Sequence, residues 1–277
     1  MSGIRSGLSV FLALVLLTGA TASVARARTL AQVLDRKVFS ICAHPDAEPF
    51  SSKDSVPAGL QVDLAQAIAR DLGVRLEIKW ILFRRDARQV GCDALIGSVA
   101  VEGGDASRPQ AASTSPSGGV LRIAVTHPYA RQAMRVVLPA GTAPLASLDD
   151  LRGRIVAVPH ASLAHFVLYQ DGIAVRTRYR SSADILDAVA AREVGAGLVS
   201  DWEYGWYSKM HSTSGLQQPA EPVIDPQLDF DVAITLRNTD PALLERVNAI
   251  LDHLAKNGTL TGIFTEYGIM YQAPHAR

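Results

Sequence analysis

His44, Asp46 and Glu48 alternate along the chain just after an apolar run, with Cys42 two residues ahead of them. Metal ligation is one chemistry for such a set; a polar loop leaving a strand is the other reading. His160 and His165 are five residues apart, a spacing that does not put both rings on one helix face. Cys42 and Cys92 are the only two cysteines among 277 residues, and they do not form a Cys-x-x-Cys. The sequence contains no Gly-x-Ser-x-Gly, no His-Glu-x-x-His, no phosphate-binding loop and no dinucleotide fingerprint. The expectation is a non-enzymatic protein with no cofactor and no metal, whose chemistry is binding.

The compartment decides what the cysteines do. Arg5 supplies a positive start, Leu8 to Leu17 is almost wholly apolar, and Ala25-Arg26-Ala27 has the small-x-small form of a signal-peptidase site. The apolar run is shorter than the ~20 residues that span a bilayer. Residues 1–27 therefore read as a cleaved signal peptide, and the mature chain as periplasmic. In an oxidising compartment an isolated pair of cysteines is more often a disulfide than a metal or redox site, with two buried thiols as the alternative. The loop closed would span about 50 residues, for which the chain-entropy model gives roughly 4 kcal/mol. Lys plus Arg and Asp plus Glu number 27 each, so net charge makes no case for nucleic acid or an anionic membrane. With 48% hydrophobic and 19% charged residues, the chain can bury a sizeable core.

The pattern around these residues alternates strand and helix. Val38 to Ala43 reads as a strand closed by His44-Pro45. Leu60, Leu64, Ala67, Ile68 and Leu72 recur at helical spacing, with Gly73 where a helix C-cap favours glycine. Val74 to Trp80 and Ala94 to Val99 read as further strands, and such alternation indicates a parallel sheet covered by helices. Residues 101–119 are Gly, Ser, Ala and Pro with few large apolar side chains, and read as a surface loop. Strands are expected at Val120 to Val125 and Met134 to Leu138.

The alternation then restarts. Ser147-Leu148-Asp149-Asp150 has a capping-box form. Strands are expected at Ile155 to Val158, Ala174 to Tyr179 and Gly197 to Val199, with helices over Ser162 to Tyr169 and from a Ser182 cap through Ala190. Phe230 to Leu236 is a last strand. Asp240 caps a helix with Pro241 at its first position, and Thr259 to Tyr267 forms a final helix. Two α/β units follow, the second inserted into the first, with extended segments near 134–138 and 230–236 as the crossings.

In open α/β sheets ligands sit at the carboxyl ends of strands. Those ends are His44 to Phe50, Gly97 to Val99, Pro159 to Ser162 and Ser200 to Trp202, which makes Glu48, Phe50, Ser98, His160 and Ser162 candidate cleft residues. His160-Ala161-Ser162 precedes a helix whose N-terminus is either an anion site or simply capped by Ser162. Trp80, Tyr129 and Trp202 are either apolar cleft walls or core.

The segment from Gly59 to Gly73 (GLQVDLAQAIARDLG) resembles the G-F-x-V-D-L-A-x-A-I-A-x-x-L-G segment of family 3 solute-binding proteins. Cys92 to Gly97, Pro128-Tyr129 and Ser147 to Val158 are similar to further segments of that family, and the likeness runs from about residue 37 to 270. A narrower branch matches as well: the accessory proteins of quinoprotein (PQQ) methanol or alcohol dehydrogenases, the MxaJ and XoxJ type. Ile41-Cys42-Ala43 with Pro49-Phe50-Ser51 resembles their V-C-A-D-P…P-F-S. Trp80 with Arg84-Arg85 and Cys92-Asp93 resembles W-x-P-Q-R-R…C-D, and Phe230 to Ile234 followed by Glu266-Tyr267-Gly268 resembles F-D-I-x-M…E-Y-G. The stretch between Arg85 and Cys92 is shorter than in that pattern, 101–119 is longer, and Ser200-Asp201-Trp202 replaces W-G-P.

The resemblance implies a two-lobed type II periplasmic-binding-protein fold. Lobe one would be 28–133 and 237–277, and lobe two 134–236 with the hinge crossings. It implies a Cys42–Cys92 disulfide and, as partner, either a periplasmic PQQ alcohol dehydrogenase or the permease of an ABC uptake transporter. Amino-acid binders of the family hold the ligand carboxylate with an arginine in a Thr-x-x-Arg segment and the ligand ammonium with a lobe-two aspartate. Asp201 stands near the second position, as a ligand contact or as a cap for residues 202–208. The Thr-x-x-Arg is absent, since Gly97-Ser98 runs into Val99-Ala100-Val101-Glu102-Gly103; Arg108 is a candidate substitute or a solvated loop arginine.

Overall fold

A computed structural model describes residues 28–100, 110–114, 120–217, 225–237 and 239–275. The signal-peptide reading of 1–27, Arg108 and most of the 101–119 segment lie outside them. The chain opens with a helix absent from the sequence expectations, α1 (Leu30–Arg36), closed at its start by a capping box between Thr29 and Gln32. Then follow β1 (Val38–Ala43), the small ribbon β2 (Asp46–Ala47) and β3 (Ser51–Ser52), α2 (Leu60–Asp71), β4 (Arg75–Trp80), a short turn of helix (Arg84–Asp86) leading into α3 (Ala87–Val90), and β5 (Ala94–Val99). Next come β6 (Gln110–Thr114), β7 (Val120–Val125) and β8 (Ala130–Pro139). The middle of the chain builds β9 (Val156–Ala157), α4 (Leu163–Gln170), β10 (Val175–Arg176), α5 (Ser182–Ala190), β11 (Ala196–Ser200), α6 (Asp201–Met210) and β12 (Leu216–Gln217). The end is β13 (Asp229–Arg237), α7 (Pro241–Lys256) and α8 (Thr259–Glu266).

One curled sheet runs through the molecule in the order β10-β9-β11-β8-β13-β5-β1-β4. In the first lobe β4, β1 and β5 are parallel, as the βαβ alternation requires. In the second, β10, β9 and β11 are parallel. The two long strands β8 and β13 join them. Ala130 to Ala133 pair with Val232 to Asp229, and the next residues of β8, Met134 to Val137, pair instead with Ser200 to Gly197 of β11. A strand that changes neighbours along its length passes from one lobe into the other.

The expectation of a loop across 101–119 is corrected in part. Gln110–Thr114 forms β6, an antiparallel partner of β7. Ala, Ser and Thr tolerate an extended edge, and main-chain pairing there does not need the large side chains whose absence suggested a loop. Other boundaries shift modestly. β8 and β13 are longer than their apolar stretches, because main-chain pairing continues through polar residues such as Arg131 and Asp231, and the 174–179 stretch yields only the two paired residues of β10. Ser181, one residue before the expected Ser182, caps α5 with Asp184 as its box partner.

Each lobe has its own core. Phe39, Ile41, Leu64, Ile68, Ile234, Leu236, Val247 and Phe264 pack the first. The second lobe buries both faces of its sheet: Val156, Val158, Leu168 and Leu198 on one side, Ile185, Leu186, Val189 and Val199 on the other. This two-sided burial is why its strands read as continuous apolar runs. Cys42 and Cys92 are disulfide-bonded, with Cα atoms 5.5 Å apart, and tie the end of β1 to the start of β5. No helix among the described residues is long and apolar enough to cross a membrane.

Candidate functional site

A cleft of about 650 Å³ opens between the lobes. One wall is the loop after β1, with Asp46, Glu48 and Phe50. The other is built from lobe-two loops and helices, with His160, Tyr179, Arg180, Ser182, Glu203, Trp206, Tyr207 and His211. This loop packs directly on the start of α2 because Gly59 adopts φ +113°; a Cβ there would lie 2.4 Å from the Ser51 Cα. The volume falls in the range of small-molecule sites.

Of the sequence candidates, Glu48, Phe50 and His160 line the cleft. Glu48 is exposed and accepts a hydrogen bond from the Ser55 hydroxyl. His44, offered with Asp46 and Glu48 as a metal set, turns its Nδ1 onto the Asp46 N–H at 3.0 Å, and no three His, Cys, Asp or Glu among the described residues converge as metal ligands. The His160 and His165 rings lie tilted at 42° to each other, with centroids 5.8 Å apart. Ser162 serves as the N-cap of α4: its hydroxyl accepts from the His165 N–H at 3.1 Å and donates to the Pro159 carbonyl at 2.8 Å. Both functions of that hydroxyl are thus engaged within the turn.

Trp202 and Tyr129, candidate cleft walls, are 1% and 2% exposed and belong to the first lobe's core. Trp202 packs against Phe264 and Phe50, and Trp80 packs on the same core from the end of β4. The aromatic walls of the cleft are instead Tyr179, Trp206 and Tyr207. Trp206 lies four residues after Trp202, one turn along α6, so helical periodicity offered a signal for it; Tyr179 and Arg180 sit in a loop whose direction periodicity does not give.

Asp201 is the first residue of α6, and the N-cap is Ser200, not Asp201. Its Oδ1 accepts a 3.2 Å bond from the Ala133 N–H on β8. Burial pushes its carboxyl up to about 6, opposed by that bond and by the charge of Arg135. A carboxyl so placed would be drawn back down by an arriving cation.

Four carboxylates, Asp46, Glu48, Asp184 and Glu203, face the cleft against one guanidinium, Arg180. Three are engaged internally, Glu48 through the Ser55 hydroxyl noted above. Glu203 accepts from the Ser200 N–H at 2.8 Å, the Ser200 hydroxyl at 2.6 Å and the Ser182 hydroxyl at 2.5 Å. Asp184 accepts from the N–H groups of Arg180 and Ser181. At the carboxyl end of β5, Ser98 accepts bonds from Arg84 Nη2 at 3.1 Å and from the Thr235 hydroxyl at 2.7 Å.

The two-lobed architecture is also that of the solved structures this chain resembles. An ancestral cationic amino acid solute-binding protein matches with a TM-score of 0.67 at 20% identity, covering 86% of this chain and 98% of that one. The chain has the two-lobed periplasmic-binding-protein fold. A T. maritima arginine-binding protein shares this binding-protein fold with a TM-score of 0.63 at 21% identity, covering 86% and 98%. A histidine kinase sensor domain with similarity to periplasmic binding proteins has it too, with a TM-score of 0.64 at 22% identity over the same shares. In sequence, a probable amino-acid-binding protein of Bacillus subtilis (strain 168), YxeM, is 25% identical over 239 residues, 84% of each chain. No family model matches. One further structure with this fold is described as an ancestral amino acid-binding protein that is a precursor of cyclohexadienyl dehydratase.

Proposed function

We propose that the protein is a non-enzymatic, exported, solute-binding-protein-like component of a PQQ-dependent methanol or alcohol dehydrogenase system, acting by protein contact and by cleft binding. One observation carries the reading beyond the fold: the Cys42–Cys92 bond that staples β1 to β5, in a chain whose Trp80, Arg84-Arg85 and Cys92-Asp93 resemble the dehydrogenase-associated branch. The lobes are taken as 28–133 with 237–277, and 134–236, with β8 and β13 as the hinge. Closure would then bring the Asp46–Phe50 loop toward α5 and α6. Affinity capture from the periplasm of cells expressing a quinoprotein dehydrogenase tests it, and the expected result is recovery of that dehydrogenase. Recovery of an ABC permease in its place would reject it.

A second reading, the solute-binding subunit of an ABC uptake transporter for an amino acid or small organic acid, is supported by the amino-acid-binding relative and by the size of the cleft. It predicts a large, concentration-dependent rise in Tm with one such ligand and transport that fails without this protein.

A further inference from the structure

The turn that follows β4 is anchored at both ends and exposes its apolar tip. Ile81 and Ala87, on either side of it, are buried with Cys42 and Cys92 in a small cluster of their own, against which Val90 and Leu95 pack. The disulfide ties this cluster to the end of β1. The Arg237 guanidinium donates to the Ala87 carbonyl, and the Lys79 ammonium lies 3.4 Å from the Val90 and Gly91 carbonyls. Between the buried ends, Leu82 is 63% exposed and Phe83 56%. Turns at strand ends are ordinarily polar, so two adjacent large apolar side chains held out in water call for a partner. The turn is also basic. Residues 82–90 hold Arg84, Arg85 and Arg88 against one carboxylate, Asp86, which accepts from the Phe83 N–H at 3.2 Å within the same turn. The Arg85 guanidinium lies 4.6 Å from the Phe83 ring centroid, with 78% of its side chain exposed. Arg84 is fixed by a 3.1 Å bond from its Nη2 to the Ser98 hydroxyl. Aromatic and arginine side chains are the types that carry most of the energy at protein interfaces. A turn already held in one shape loses little entropy on docking. Leu82 to Arg85 stand apart from the residues that line the cleft.

We propose that Leu82, Phe83, Arg84 and Arg85 form the surface on which the protein partner docks, an acidic face of the quinoprotein dehydrogenase with an apolar recess for Phe83. This rests on the dehydrogenase reading above and adds the place of contact to it. A protein is favoured over an anionic membrane because the apolar tip is only two side chains wide and the chain as a whole carries no net charge.

The test is surface plasmon resonance of the mature, disulfide-bonded protein on the purified quinoprotein dehydrogenase of the same organism, at low and at high salt. Wild type should bind, and more weakly as salt rises. Phe83→Ala should weaken binding about tenfold or more, and Arg85→Glu should slow association and flatten the salt dependence. Phe166→Ala, which removes an exposed ring on α4, should leave binding unchanged. The Tm of each variant, expected to match wild type, shows the fold intact. Wild-type binding that neither Phe83→Ala nor Arg85→Glu weakens overturns the surface while the dehydrogenase reading stands, and so does a Phe166→Ala loss equal to that of Phe83→Ala. A wild-type protein that does not bind the dehydrogenase rejects that reading and the surface with it. Binding instead to anionic phosphatidylglycerol vesicles, lost in F83A, assigns the turn to a membrane and overturns the proposal as well.

Discussion

The indole of Trp202 stands edge-on to the ring of Phe264, with centroids 4.9 Å apart and planes at 86°. Trp202 opens α6, and Phe264 lies on α8 in the first core, so this contact, with the Trp202–Phe50 and Trp206–Tyr267 pairs, ties α6 to that core. The same helix approaches the C-terminal segment so closely that a Cβ on Gly205 would lie 2.7 Å from the Gly268 carbonyl. Lys209 at its far end donates to the Glu266 carbonyl. Trp202→Ala removes a fully buried side chain and should cost about 3–5 kcal/mol, with Trp202→Phe costing less. Urea unfolding followed by circular dichroism checks this, and a loss under about 1 kcal/mol would mean that the indole is not core.

Asp201 should make stability fall as pH rises. Its folded-state pKa is raised to about 6 from an ordinary 3.8. The folded protein therefore holds the proton more tightly than the unfolded chain. The stabilisation is complete below the ordinary value and is lost as pH rises through about 6. Each tenfold gain in proton affinity on folding contributes at most about 1.4 kcal/mol, and the partial exposure of Asp201 reduces it. Asp201→Asn keeps an acceptor for the Ala133 N–H without the buried charge. Its Tm should match wild type near pH 4 and exceed it at pH 7.5. Parallel Tm–pH curves for the two proteins would refute the assignment.

Arg28 anchors the start of the folded chain. Its Nη2 lies 2.5 Å from Asp93 Oδ2 and its Nε 3.1 Å from Oδ1, with Asp93 1% exposed. Asp93 also accepts from the N–H and hydroxyl of Ser40, both at 2.7 Å. Removing one partner of a buried pair leaves the other charge uncompensated, so Arg28→Ala should cost about 3 kcal/mol. The double variant Arg28→Ala with Asp93→Asn should recover part of it. Chemical denaturation of the four proteins of this cycle measures the coupling, and a value near zero would show the pair to be energetically idle.

The disulfide closes a loop with a sequence separation of 50. Replacing both cysteines by alanine should lower stability by roughly 4 kcal/mol on the chain-entropy account. The comparison is equilibrium unfolding of the oxidised protein against the double variant, and equal midpoints would show that the loop's ends are already held by β1–β5 pairing.

Much of the fold was legible because local patterns carried it. The helical spacing from Leu60 to Leu72, the continuous apolar run Val38 to Ala43 and the Asp240-Pro241 start of α7 each depend on near neighbours in the chain, and the structure has all three. The two cysteines limited the covalent possibilities to a single pairing. What sequence left open depended on which groups long loops bring together. Trp202 read as wall or core, and only the packing of α6 on α8 put it in the core and turned Trp206 toward the cleft. Arg84 read as one of two adjacent arginines; its bond to Ser98, 14 residues away along the chain, follows from β4 and β5 running parallel and ending on the same side of the sheet. Periodicity decides which side of an element is apolar, because that is fixed within a few residues. Which polar side chains end up without a partner is settled only when separate elements pack, because hydrogen bonds and charge compensation act through space.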